Sequence, residues 1–203
     1  MTDIIKSGAL LLVLLNPFLV ILYLVDMVEK FDSKQFARVL VQGSIIATVV
    51  FCSFAVLGDA IFSRIMQMEF ASFQIFGGVI FLLIGLQFVF KGPGAIEALK
   101  GGAAGLAGAI AMPVMIGPGT ISASVVIGKR HDIFQACATI VVVVSIFVVL
   151  MVALKEVHDF VRPRNAPVIN RYIEIAGRIQ ALYVGTVAVE MIMQGIKTWA
   201  GKF

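Results

Sequence analysis

Two long apolar stretches of this chain carry a helix breaker near their midpoint. Residues 7–25 are interrupted at Asn16-Pro17, and residues 101–128 at Met112-Pro113 and again at Gly117-Pro118-Gly119. A proline inside a membrane helix removes one backbone hydrogen bond and pushes the preceding turn out of line, freeing polar backbone groups at a depth without water. Such groups are tolerated only around a protein-lined cavity, so matching broken segments predict a central site.

The membrane itself follows from composition. With 60% hydrophobic and 14% charged residues and a mean hydropathy of +1.03, the chain is too apolar to cover itself with a polar surface in water. A helix crosses the hydrocarbon core with about 20 apolar residues. Uncharged windows of that size are 7–25, 39–58, 70–90, 101–128 and 133–154; a sixth, 177–198, carries Arg178 and Glu190. The first window is expected to be a retained helix and not a secretory signal, because it is long, contains a proline and ends at Asp26-Met27 without a small-residue cleavage site. Six crossings leave no room for a soluble domain, so 1–203 reads as a single integral membrane domain.

If six helices cross, one side receives Lys6, Arg64, Lys129, Arg130, Lys197 and Lys202. The other receives ten cations: Lys30, Lys34, Arg38, Lys91, Lys100, Lys155, Arg162, Arg164, Arg171 and Arg178. Positive residues accumulate on the cytoplasmic side, so both termini are expected outside, in a bacterial inner membrane. The net charge of +4 then belongs to topology and anionic lipid, and nucleic acid is excluded as a partner. Cys52 and Cys137, inside windows two and five, read as packing residues. His131 and His158 fall in loops without ligand spacing, so neither a metal nor any other cofactor is expected.

The two halves resemble each other at an offset of one hundred. Phe73-Gln74-Ile75-Phe76-Gly77 aligns with Ile173-Glu174-Ile175-Ala176-Gly177, Gly85 with Gly185, and Asn16-Pro17 with Gly117-Pro118. The expected fold is an all-α membrane protein of six transmembrane helices. They form two inverted three-helix repeats, about 1–92 and about 101–203, with helices 1 and 4 broken at the Pro/Gly motifs. Small residues in 101–109, together with Gly77, Gly78, Gly85, Gly177 and Gly185, read as close-packing positions.

After Gly119 come Thr120, Ile121, Ser122, Ala123 and Ser124, a half-helix with hydroxyls in its first turn. A helix start is a natural seat for a carboxylate or another anion, and the bland alternative is that Thr120 and Ser122 only cap it. Asn16 would offer an amide from the other break, facing Thr120. The candidate site is therefore Asn16, Pro17, Gly117, Pro118, Gly119, Thr120 and Ser122. Glu190 is the deepest charge within a span, where a charge costs about 2.5 to 3.5 kcal/mol on insertion scales. It reads either as a proton carrier that couples transport or as an acid near the outer interface. Arg178 follows Glu174 by four residues, a spacing that favours an ion pair at the inner rim. Gln42, Gln87 and Gln180 read as helix-joining polar residues.

At these segments the sequence resembles the MarC family of bacterial inner-membrane proteins, which is similar to the small neutral amino acid transporters called SnatA and is grouped with the LysE-like exporters. The residues that carry the resemblance are Leu15-Asn16-Pro17-Phe18, Phe76-Gly77-Gly78-Val79 through Leu83-Ile84-Gly85, Met112-Pro113 through Ile121-Ser122, and Ala188-Val189-Glu190 through Gly195-Ile196. The likeness implies six helices and a transport-like role without naming a substrate. Two departures stand out. Phe18 to Leu22 is wholly apolar where the family's first motif usually continues with Gly and a second proline, so the first break is expected to be milder. Glu190 stands where relatives commonly have glutamine.

The resulting expectation is a secondary transporter or exporter of a small polar solute, with neutral amino acids the favoured class, working by alternating access and driven by a proton gradient. An enzyme is not expected: an ATP-binding loop, paired cysteines, a histidine within a span and a serine-lysine arrangement are all missing. The alternatives are a helper subunit that transports nothing and, further behind, an intramembrane thiol-redox protein. Whether the chain forms a homo-oligomer is left open.

Overall fold

The computed structural model describes residues 2–58, 60–66, 68–91, 115–161 and 166–201, and every regular element among them is a helix. In chain order these are α1 (Thr2–Leu15), α2 (Pro17–Tyr23), α3 (Val25–Lys30), α4 (Ser33–Leu57), a wide π turn (Ile61–Met66), α5 (Phe70–Lys91), α6 (Pro118–Arg130), α7 (Ile133–Val161) and α8 (Ala166–Ala200). The Met112-Pro113 break and the small-residue run 101–109 lie outside the described residues.

Three of these helices, α4, α5 and α7, are long and apolar enough to cross a membrane. At about 1.5 Å per residue, the 25 residues of α4 exceed a hydrocarbon core of about 30 Å. The outer faces are as apolar as the inner ones: Val41, Ile45, Val49, Val141, Val142 and Val149 are all exposed. A helix hydrophobic on every side suits lipid and not water. The last helix runs to 35 residues, well beyond the window 177–198. Hydropathy undercounts it because its first turns carry Arg171, Glu174 and Arg178, which are charged and still helical.

Helices α4 and α7 begin alike. The Asp32 carboxylate accepts the Gln35 backbone N–H at 2.7 Å, and the Asp132 carboxylate accepts that of Gln135 at 3.0 Å. Such N-caps each contribute about 1 kcal/mol. The buried stripes then run in step: Phe36, Leu40, Ser44, Ala47, Phe51 and Ala55 on α4, and Ala136, Ile140, Val144, Phe147, Met151 and Lys155 on α7, each one hundred positions later. The two helices pack antiparallel, since the Cys52 thiol, near the end of α4, lies in hydrogen-bonding reach of the Cys137 thiol, near the start of α7. The cysteines are thus mutual neighbours, a pairing that sequence could not supply because they sit on separate helices. Copper-phenanthroline oxidation is expected to join them within one chain, read as loss of maleimide labelling without a dimer band. Two reactive thiols after oxidation would refute the register.

Helices α5 and α8 are likewise antiparallel. A methyl group on Gly78 would lie 2.8 Å from the Ala188 carbonyl oxygen, one on Gly85 would lie 3.2 Å from the Gly185 nitrogen, and one on Gly195 would lie 2.9 Å from the Ala71 carbonyl oxygen. Small residues allow the backbones this approach. Gly185 is the exception to the sequence reading, because a side chain there would meet nothing within 4 Å. Its own backbone forms the contact.

The first apolar window is one broken path. Asn16 takes φ +47°, a left-handed conformation that Asn tolerates better than most residues. Its N–H still bonds Leu12 O at 3.1 Å and its carbonyl still accepts Val20 N–H at 3.1 Å. The break is therefore a single-residue kink, in keeping with the milder first break expected from Phe18-Leu22. At the far end Lys155, 1% exposed, donates to Val28 O at 2.9 Å and pairs with Asp159 at 2.6 Å. A buried cation there satisfies the Val28 carbonyl in the last turn of α3 and complements the negative end of that helix.

Candidate functional site

The second break is built from Met115 to Thr120. Gly117, extended at φ −114° and ψ 167°, precedes Pro118, which opens α6; proline suits a first helical position because its missing N–H would have had no partner there. Thr120, 4% exposed, closes the segment on itself. Its Oγ1 accepts the Gly117 N–H at 3.0 Å, and its single proton is shared between Met115 O at 2.8 Å and Gly117 O at 2.9 Å. One turn on, Ser124 donates to Thr120 O at 2.8 Å. Thr120 is a brace of the break, which is the capping role.

Ser122 differs. Its Oγ is buried and has no hydrogen-bond partner, a condition it shares among the described residues with Gln87 Oε1 and His158 Nε2. An unpartnered buried hydroxyl costs about 1 to 3 kcal/mol, which a ligand or water would recover.

Four helices enclose the start of α6. Gly77 of α5 abuts the Pro118 ring so closely that a methyl group there would overlap it. Positions that a methyl on Gly117 and on Gly119 would take lie 2.9 Å and 3.6 Å from the Phe81 ring, and the latter is also 3.6 Å from Leu14 and 3.7 Å from the Met191 sulfur. The Ser44 hydroxyl of α4 faces the Met115 sulfur at 3.9 Å.

Leu14 lies two residues before the first break, so the end of α1 packs against the start of α6. Asn16 is 7% exposed. Pro17 lacks the N–H that would have satisfied the carbonyl four residues earlier, Val13 O. That carbonyl instead accepts the Tyr183 hydroxyl of α8 at 3.2 Å. That bond is exposed, outside the buried contacts of the second break, and the sequence contained a clue to it: a proline in a span frees the carbonyl four residues back, and some donor must reach it.

The structure thus brings Gly117, Pro118, Gly119 and Thr120 into one turn and sets Leu14, near the end of α1, against Gly119. It does not bring Glu190 to them. Glu190 is exposed on α8, accepting from Gln194 Nε2 at 2.9 Å, while Ala188 and Met191 form the buried face. Arg178 is exposed, and the side chains of Glu174 and Gln180 lie outside the described residues. Chemically, the cluster offers the positive end of α6 and a free hydroxyl in a water-poor interior, a combination suited to an anionic group.

Such a fold and such a cluster define a multi-pass, all-helical integral membrane protein with broken helices at its centre. The sequence pattern described as MarC family integral membrane protein matches residues 1–200, and the chain belongs to that family. It is similar to the UPF0056 membrane proteins of Pyrococcus horikoshii (24% identical over 95% of this chain and 93% of the relative), Aquifex aeolicus (23%, 95% and 92%) and Methanocaldococcus jannaschii (26%, 91% and 91%). No solved structure matches.

Proposed function

We propose that this chain is a secondary carrier of a small polar solute bearing a carboxylate, with neutral amino acids the favoured class, and that the solute binds where the two broken helices meet. The single observation that carries the reading is Ser122 Oγ, buried without a partner in the first turns of α6. The helix start attracts the carboxylate, Ser122 donates to it, and the Asn16 break forms the opposing wall. Thr120 holds the geometry and does not itself bind.

In this reading the chain is two inverted three-helix repeats in a bacterial inner membrane, with both termini outside and a proton gradient as the driving force. The matched caps at Asp32 and Asp132, the stripes one hundred residues apart and the antiparallel packing of α4 on α7 and α5 on α8 support the duplication. A pseudo-twofold axis relating such pairs lies in the membrane plane. Glu190, facing outward with Gln194, is not the coupling group favoured by this geometry.

The test is uptake of alanine and serine into proteoliposomes under a pH gradient. Ser122→Ala is expected to leave the thermal midpoint near wild type, because it removes an unsatisfied hydroxyl, while raising KM about tenfold through the loss of one charge-assisted hydrogen bond. Wild-type KM in that variant would remove Ser122 from the site. Wild-type protein that moves neither amino acid would remove this solute class.

A further inference from the structure

Where α1 and α7 meet, a polar cavity of about 560 Å³ at the membrane rim is lined by Asp3, Ile4, Arg130, His131 and Gln135. Beside it runs an apolar groove of about 490 Å³, bordered by Ile5, Leu12, Phe134, Ala138 and Ile146. Ile4 and Gln135 line both, so the two spaces join. We infer that this composite cleft is a binding site for one membrane phospholipid whose head group carries a phosphodiester and a primary ammonium.

Depth is the first argument. From Gln135 to Ile146 the groove follows twelve residues of α7, about 17 Å at the helical rise, against about 15 Å for half of a hydrocarbon core. An acyl chain lying in it reaches the middle of the bilayer with its head group at the rim. Gly8, without a side chain, leaves the groove open and lets α1 approach α7: a methyl there would come within 3.2 Å of Val143. Charge is the second argument. Arg130 offers a planar donor fork suited to a phosphodiester, and Asp3 offers a carboxylate to an ammonium. A pocket holding both signs suits a zwitterion. A choline head group has no N–H to give Asp3, and a glycerol head group has no cation. The pocket is also held in shape. Ser7, 3% exposed, ties its hydroxyl to His131 Nε2 at 3.2 Å, and the Asp132 cap fixes the turn that carries Arg130 and His131. This inference is independent of the solute site, which lies at the other end of α6.

Native mass spectrometry of the full chain in detergent, titrated with dioleoyl phosphatidylethanolamine, the phosphatidylglycerol analogue and water-soluble glycerophosphoethanolamine, tests it. Wild type is expected to retain one phosphatidylethanolamine and to prefer it to phosphatidylglycerol. Arg130→Gln is expected to weaken retention about tenfold or more, and Asp3→Asn to erase the preference. Ala138→Trp fills the groove from an exposed position and is expected to abolish retention while leaving the thermal midpoint intact. Equal retention of both lipids by wild type would overturn the inference. So would retention unaffected by Arg130→Gln and Ala138→Trp, or binding of glycerophosphoethanolamine as tight as that of the whole lipid, which would make the cavity a solute pocket.

Discussion

Gly128→Ala is expected to lower the thermal midpoint of the detergent-solubilised protein by about 6 to 12 °C, while Gly185→Ala leaves it at wild type or raises it by up to about 4 °C. A methyl group on Gly128 would overlap the carbonyl of Ala55, so helices α4 and α6 must separate to admit it. The obstacle is backbone and not a flexible side-chain tip, so no rotamer change relieves it. Overpacking of this kind costs about 1 to 3 kcal/mol, and the rigid contact places Gly128 at the upper end. Separating α4 from α6 also loosens Ser44 from Met115, beside the second break. Gly185 is the control because open space surrounds the position a side chain would take. Equal losses in both variants would refute close approach as the cause, since helix propensity favours alanine over glycine by about 1 kcal/mol and by itself would raise the midpoint at both positions.

This asymmetry marks what sequence could and could not supply. Composition finds the glycines and the apolar window 39–58, because a span in lipid needs a long apolar run and close helix packing needs small residues. It does not find which glycine faces backbone and which faces a gap; that depends on how two helices cross. The breaks at Asn16-Pro17 and Gly117-Pro118-Gly119 were legible because Pro and Gly act locally on the chain. Their partners were not. Tyr183 reaches Val13 O from 170 positions away, and Leu14 meets Gly119 across the interior. Glu190 shows the opposite limit. Hydropathy ranks it by depth, whereas its role depends on the face of α8 it occupies, and that face follows from the contacts of Gly78 with Ala188 and of Gly195 with Ala71. Likewise, nothing in the first turns of α6 distinguishes Thr120 from Ser122 by residue type. Only the direction of each hydroxyl makes one a brace and leaves the other free.

That distinction yields an equally large expected effect. Thr120→Val keeps the shape of the side chain and removes its hydroxyl, leaving the Gly117 N–H and the Met115 carbonyl with only the 3.2 Å bond they make to each other. Both groups are enclosed by α1, α5 and α8, where water does not replace a lost bond. Each group loses one of its two hydrogen bonds, at about 0.5 to 1.5 kcal/mol apiece, so the pair costs about 1 to 3 kcal/mol, equivalent to a fall in thermal midpoint of about 2 to 12 °C for a chain of this size. Thr120→Ser restores the hydroxyl and is expected to recover most of the loss. Ser124→Ala serves as the comparison, since Ser124 donates to a carbonyl inside the regular turns of α6 and such back-bonding adds little to a helix. Amide exchange at Gly117 supplies a local readout, slow in wild type and in Thr120→Ser and faster in Thr120→Val by the factor the stability loss implies. A valine variant as stable and as protected as wild type would show that the break stands without its threonine, and α6 would then owe its start to Pro118 and the packing of Gly77 alone.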